Sequence, residues 1–491
     1  MKKLAILSTS LAAVIALGVM VGCTPAEEPG GEEPQAYYMP NWSGKENEES
    51  SVSVHDPSIF KDPVSGTYYV FGTHYAVASS TDLINWTQVA SDNQYQVLYG
   101  NGTAEGYSAW PAALKSTLDL VQPASTNNTT WAPDVEYYDG TYYMYYSLTK
   151  DFGTRTSAIG RVESNNVLGP YGGNTIIIES VTQTGPNCID PELFYDKDGR
   201  LWMVYGSAFG GLYIKELYNE GENWGLPIEE EGFGKLLWSG SKNQEGPFIF
   251  YNEETDYYYM MVSYGSLMTT YNMRVARSEN PDGPYVDITG QDVATATGDN
   301  GGNKIAGNYT LGTADGMAAI GHNSVIKEDG KYFVVAHARR RDGDGNAVTA
   351  GHSVYVFQLY FNEDGWPVMN PNRYANETIG TGVTADKIAG EYNLVVHTSG
   401  TTQTFAEYQT YNFTTDGNIT LDGANVGSWE LSGAYYIHVT LDGVTYKGVV
   451  TPSYTMYERD VYSNYGTFSI TATSDAGIPL WAVGQFVGAR N

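Results

Sequence analysis

Apolar residues in this chain gather in short, dense runs rather than in stripes of helical period. Five of these runs are alike, each following a turn and each crowded with aromatic side chains. They read TYYVFG after Ser65-Gly66, TYYMYY after Asp139-Gly140, RLWMVYG after Asp198-Gly199, YYYMMVSYG after Thr255-Asp256 and KYFVVAHA after Asp329-Gly330. Glycine accepts the positive φ of a tight turn, and aromatic and β-branched side chains suit a pleated surface, so each unit predicts a hairpin. Five similar hairpins spaced between about 55 and 80 residues apart predict a β-propeller, here five-bladed and spanning residues 51–375. GRVESNNVLGPY (160–171) and RVARSENPDGPY (274–285) repeat as the outer strands and exit turn of two blades. Beyond residue 385, runs such as YNLVVHT, AEYQTYNFT, AYYIHVTL, VTYKGVVT and GTFSITAT predict a smaller antiparallel β-barrel or sandwich over 385–491. The chain is expected to be all-β.

Ahead of this body, residues 1–23 read MKKLAILSTSLAAVIALGVMVGC. Lys2 and Lys3, an apolar run and small residues before Cys23 have the layout of a secretory signal. The stretch resembles a bacterial lipoprotein signal, which implies a lipid on Cys23; an uncleaved membrane anchor is the alternative. Residues 24–50 are rich in Pro, Gly and Glu and predict a flexible, solvated acidic linker. The protein is thus expected to be secreted and held at the bacterial cell surface, touching the membrane only through Cys23. No other segment is long and apolar enough to span a bilayer.

Composition then narrows the function. With 26 Lys+Arg against 56 Asp+Glu the net charge is −30. Such a surface repels polyphosphates, so nucleic acid is not an expected partner. Two cysteines and no CxxC pair exclude a disulfide framework and give no support to zinc or redox work. With no G-x-S-x-G, H-E-x-x-H or P-loop, esterase, zincin and nucleotide chemistry also lack support. A monomer is expected.

A short polar block precedes each hairpin: His55-Asp56-Pro57, Trp131-Ala132-Pro133-Asp134, Asp190-Pro191-Glu192, Glu245-Gly246-Pro247 and Gly321-His322-Asn323. The innermost strand of every propeller blade lines the axis, so acids far apart in sequence meet at one channel mouth. Singly, Asp-Pro or Glu-Gly-Pro reads as a strand-entry turn. As a repeated set with acids at equivalent positions, the blocks point to glycoside hydrolysis. There one carboxyl protonates the leaving oxygen while another activates water or attacks. A third carboxylate nearby raises the pKa of the acid.

VHDPSI, WAPDV, CIDPELF and EGPFIF, in this order, resemble the signature blocks of glycoside hydrolase family 43. The resemblance covers residues 51–375 and implies a five-bladed propeller that acts with inversion. It implies Asp56 as general base, Glu245 as general acid and Asp190 as the carboxylate that tunes and holds Glu245. An inverting pair stands roughly 6.5–9.5 Å apart. NKIAGNYTLG, GMAAIGHNSVI, AHARRR and DGWPV are similar to the endo-α-1,5-L-arabinanases of the family rather than to its xylosidases. That implies arabinan or its oligosaccharides as substrate and a largely water-coordinated metal, usually calcium, beside His322, although calcium prefers oxygen ligands.

GSAFGGLYI (206–214) resembles the stretch that lines the sugar groove, with Ala208-Phe209 where Phe-Trp is expected. It implies substrate contacts from Ser207 and Phe209, and the CIDPELF block adds Ile189. Trp131 either stacks on a furanose ring or packs its strand. His55 orients the base, contacts sugar or caps a turn. Asp134 is expected to make structural hydrogen bonds, and His74, His337, His352, His397 and His438 to be structural. The module after residue 385 is similar to the barrel that follows the propeller in two-domain arabinanases. Two alternatives stay open: an exo-acting α-L-arabinofuranosidase or β-xylosidase on the same fold, and a non-catalytic glycan-binding surface lipoprotein.

Overall fold

Each of the five aromatic runs forms the second strand of a four-stranded antiparallel sheet. The computed structural model describes residues 52–124, 129–181, 185–229, 231–239, 244–299, 301–312, 316–343, 345–454 and 466–485; the leader, Cys23 and the linker lie outside them. The sheets occupy residues 55–90, 131–180, 192–238, 245–306 and 317–369, blades 1 to 5 of a propeller. Strands follow one another in chain order across each blade. The innermost strands are His55–Lys61, Trp131–Tyr138, Glu192–Tyr195, Glu245–Asn252 and Met317–Glu328. All five contribute to the lining of one axial cavity.

A blade has two apolar faces, which explains why its strands run apolar almost without break. Each face is covered by the neighbouring blade. Phe71 and Val77 of blade 1 pack with Val135, Met144 and Tyr146 of blade 2. Tyr145 and Ile159 meet Met203 and Tyr205, and Val204 and Trp238 meet Met260 and Val262. Burying a side chain of this size contributes about 1.5–3 kcal/mol, so these layers hold the ring together. Blades 1 and 5 share no strand, and apart from a Val354 N–H to Val52 carbonyl bond of 3.3 Å closure falls largely to side chains. Val54 and Val70 pack on Phe333 and Val335, Lys61 pairs with Glu328 at 2.6 Å, and the Ile59 N–H donates to Ser324 Oγ at 3.0 Å.

The C-terminal module is a closed eight-stranded antiparallel barrel, completed by pairing Gly390–Val396 with Pro479–Gly484. Tyr392, Phe413, Trp429, Tyr446 and Phe468 fill it. Its outer side packs on the propeller, where Val395, Trp481 and Val483 join Tyr309, Met317 and Ile320.

Deep in the axial cavity Asp134 ties three blades together, as its expected hydrogen-bonding role requires. Its Oδ1 accepts from Ser58 Oγ at 2.9 Å and its Oδ2 from the Leu193 N–H at 3.0 Å. Burial pushes its pKa up to about 6 against the pull of those donors. Asp134→Ala orphans a buried amide and should lower unfolding free energy by about 2–4 kcal/mol, read as a lower denaturation midpoint at unchanged slope.

Candidate active site

The inner strands share one irregularity. His55 faces Thr73 whereas Ser58 faces Phe71, so one extra residue bulges out between them. Trp131 and Asp134, Glu245 and Phe248, and Gly321 and Ser324 bracket the same bulge in blades 2, 4 and 5. In blade 3 the Ile189 carbonyl accepts from the Gly206 N–H at 2.8 Å while Glu192 faces Val204, which is the same spacing. The residues that turn left-handed are Asp56, Ala132, Asp190, Gly246 and His322, with φ of 53°, 35°, 55°, 58° and 48°.

A left-handed residue in a bulge takes its N–H off the ladder, and a buried N–H needs another acceptor. Each is accepted by the preceding blade. Thr73 Oγ1 accepts from Ala132 N at 2.8 Å, Ser147 Oγ from Asp190 N at 2.8 Å and Ser263 Oγ from His322 N at 2.6 Å. His337 Nδ1 accepts from Asp56 N at 3.1 Å and closes the ring. Blade 3 offers only Gly206 at this position, and there the carboxylate of Asp190 substitutes, with Oδ2 accepting from Gly246 N at 3.0 Å.

The bulges bring Asp56, Asp190, Glu245 and His322 together. The three acids are not positionally equivalent, however, which corrects the sequence reading. Asp56 and Asp190 are bulge residues, whereas Glu245 precedes the bulge, where blades 1 to 3 carry His55, Trp131 and Ile189. A Cβ at Gly246 would crowd the His322 ring at 3.1 Å, so the acid of blade 4 stands one residue earlier.

The environments of the acids differ. Burial alone would raise the pKa of Asp56, but His322 and His55 outweigh it and hold the carboxyl well below its ordinary range. His322 Nδ1 lies 3.1 Å from Asp56 Oδ1, His55 Nδ1 lies 3.0 Å from Oδ2, and Thr73 Oγ1 donates to Oδ2 at 2.6 Å. Asp190 has burial and the charges of Glu245 and Asp56 against it, partly offset by His322, and rises to about 7. Glu245 is raised mainly by burial, while the Tyr271 hydroxyl that donates to its Oε1 pulls the other way. His322 loses to burial but gains more from Asp56, ending up at about 9. One acid is held ionised and two are pushed towards the neutral form.

Among the described residues, His55, Asp56 and His337 lie close enough to share a metal ion. Hydrogen bonding opposes it, because His337 Nδ1 accepts from Asp56 N–H and its proton is therefore on Nε2. Neither nitrogen then has a lone pair to give.

Of the other expected contacts, Trp131 is half-buried with its ring centroid 6.4 Å from that of Phe152, and Phe209 is 39% exposed. Ile189 and Ser207 are buried, as Asp56 and Asp190 are. Ile189 sits under the bulge, and Ser207 Oγ accepts from Asn187 Nδ2 at 3.2 Å and from Phe209 N at 3.3 Å, shaping a turn. His55 is buried and stacks on His337 with centroids 4.7 Å apart.

Thr73 and Tyr271 escaped the sequence reading, as did the amide of Asp56 as the partner of His337. A signal existed for two of them: Thr73, Ser147, Gly206, Ser263 and His337 are each the seventh residue after their turn. Tyr271, just before a third strand, carries no such mark.

Asp190 has a separable structural duty. Asp190→Asn keeps an acceptor for Gly246 N–H and should fold as stably as the parent, whereas Asp190→Ala strands that amide and should cost about 1–3 kcal/mol. Thermal denaturation of the two variants side by side measures the difference.

Comparison with known proteins agrees with this geometry. Residues 50–367 match the model of glycosyl hydrolases family 43, and residues 371–482 match a C-terminal lipocalin-like domain. The chain is 38% identical to an extracellular endo-α-(1→5)-L-arabinanase of Thermotoga petrophila, over 88% of this chain and 93% of the relative. It is 37% identical to the extracellular endo-α-(1→5)-L-arabinanase 2 of Bacillus subtilis, over 88% and 92%. The crystal structure of endo-1,5-α-L-arabinanase from Thermotoga petrophila superposes with a TM-score of 0.78 at 36% identity, covering 88% of this chain and 98% of that one. With residues 50–367 matching the family model and relatives at 37–38% identity over most of both chains, the chain is a glycoside hydrolase and belongs to glycosyl hydrolases family 43.

Proposed function

We propose that this protein hydrolyses internal α-1,5-L-arabinofuranosidic bonds of arabinan with inversion. The observation that carries the reading is the split in protonation. Asp56 is held as a carboxylate, while Glu245 from a different blade is pushed towards its neutral form in the same site. A glycosidic bond between them would meet a base on one face and an acid on the other. Asp56 takes a proton from the attacking water, whose oxygen bonds to the anomeric carbon as the glycosidic bond breaks. Glu245 gives its proton to the departing oxygen. Asp190 keeps Glu245 in register through its bond to Gly246 N–H, and the mutual repulsion of the two acids favours a proton in the pair.

Endo action is supported by the relatives at 37–38% identity over both domains. It is also supported by apolar side chains on the loops around the mouth: Phe152 is 77% exposed, Met268 49% and Phe209 39%. The relatives are extracellular by name, consistent with secretion, and the layout of residues 1–23 favours lipid attachment at Cys23.

Calcium beside His322 fits the donor chemistry. His322 turns Nδ1 to Asp56, so Nε2 would become a ligand once an ion displaced the proton that Asp56 helps it keep, a carboxylate–histidine arrangement common behind metal ligands. One nitrogen ligand leaves the remaining positions to water. When bound, the ion supplies positive charge and ordered water near the acids.

On linear debranched arabinan the protein should release a ladder of short oligomers. Glu245→Gln and Asp56→Ala should each lower kcat by about 10²–10⁴-fold. Arabinose as sole product would refute endo action, and turnover undiminished in either variant would refute its role. Activity should fall at low pH as Asp56 protonates, and on the alkaline side as the Glu245–Asp190 pair, with Asp190 at about 7, loses its proton. Chelation should lower the rate while leaving the far-ultraviolet circular dichroism unchanged; an unchanged rate in metal-free protein would remove calcium from the account.

A further inference from the structure

Tyr271 is the one neutral donor on Glu245 among the described contacts, and it is tightly held. Its side chain is fully buried, and its ring stacks on His337 with centroids 5.8 Å apart and planes within 10°. Its edge lies over Gly321, where a Cβ would come within 2.5 Å of Cδ2. A phenol that keeps its proton and donates to Oε1 reserves that oxygen as an acceptor. The proton of neutral Glu245 is then confined to Oε2, the oxygen that must face a leaving group.

Tyr271 ends the loop between the second and third strands of blade 4, and that loop does not stand alone. Segment 398–407 of the C-terminal module leaves its barrel and lies along the propeller beside the loop. Ala406 pairs in parallel with Tyr309, with backbone bonds of 3.0 and 2.9 Å on either side. Lys304 Nζ donates to the carbonyls of Thr398 and Gly400 at 2.8 and 2.9 Å, and Arg274 to that of Ser399. From this anchored segment Thr401 Oγ1 accepts from Asn272 Nδ2 at 3.3 Å, and Gln403 Nε2 donates to Thr269 Oγ1 at 3.2 Å. The two bonds grip the loop two residues before Tyr271 and one residue after it, and Gly265 gives the room for it: a Cβ there would meet Thr401 Cγ2 at 2.8 Å.

We infer that the C-terminal module is part of the acid's support: through Thr401 and Gln403 it holds the loop that aims Tyr271 at Glu245 Oε1. Tyr271 is thus a positioning residue for the proton donor. The inference rests on the assignment of Glu245 as general acid.

Leaving-group dependence tests it, because an arabinose leaving group needs the acid and a nitrophenolate does not. The substrates are linear arabinohexaose and a 4-nitrophenyl α-1,5-L-arabinotrioside. Tyr271→Phe, which keeps the ring, should lower kcat on arabinohexaose by about 10- to 100-fold with KM little changed, and leave the nitrophenyl substrate within about threefold. Thr401→Val with Gln403→Ala should give a smaller loss of the same kind. Added to Tyr271→Phe it should cost nothing more, since both act through one contact. Equal losses on the two substrates, no loss from Tyr271→Phe, or full additivity would overturn the inference. Glu245→Gln is the reference. If it loses both substrates alike, the acid assignment itself fails; if it spares the nitrophenyl substrate and Tyr271→Phe does not, only the positioning role fails.

Discussion

Five backbone amides on the propeller axis need acceptors, and most of the site follows from how they are satisfied. A bulge at the head of each inner strand turns one residue left-handed and takes its N–H out of the sheet. Because the acceptor comes from the preceding blade, the same bond that satisfies the amide also ties each blade to its neighbour. Threonine, two serines and a histidine do this at four junctions. At the fifth, a catalytic candidate does it. The active-site mouth and the seams of the ring are therefore one structure.

That economy has an electrostatic side. Bulge residues project where five blades meet, so whatever charge they carry is desolvated and close to the others. Asp56 answers this with two histidines at 3.0 and 3.1 Å and remains ionised. Asp190 and Glu245 lack such direct partners and shift upwards. The same acid chemistry in water would give carboxyl groups of ordinary, nearly equal strength, and no division of labour between a base and an acid.

How much of this could be read from the chain depends on whether a feature is local. The hairpins were legible because a turn and an aromatic strand are neighbours in sequence, and Asp56, Asp190, Glu245 and His322 were legible because each sits in a recurring block. The one-residue offset of Glu245 was not legible, since it answers a ring on another blade. Nor was Tyr271, whose partner belongs to a different strand and whose loop is gripped from a different domain. The place of Ser207 in a motif did not show that its hydroxyl also braces a short turn in blade 3, because its partners Asn187 and Phe209 meet it only in the folded loop. In the barrel, Asn418–Leu421 and Ala424–Leu431 are too polar to announce themselves, and their pairing is fixed by the closed sheet.

Gly206 carries a consequence for descent. Its φ of 120° and a carbonyl 2.3 Å from where a Cβ would stand bar it from acquiring the hydroxyl that the other blades use. Blade 3 must therefore borrow its acceptor from position 190. A lineage that abandoned catalysis could let the side chains at 56 and 245 drift, since the amide of residue 56 bonds whatever side chain it bears. Position 190 would stay restricted to aspartate or a close mimic for as long as the ring stayed closed. An unchanged aspartate there is a relic of architecture as much as a mark of a working enzyme.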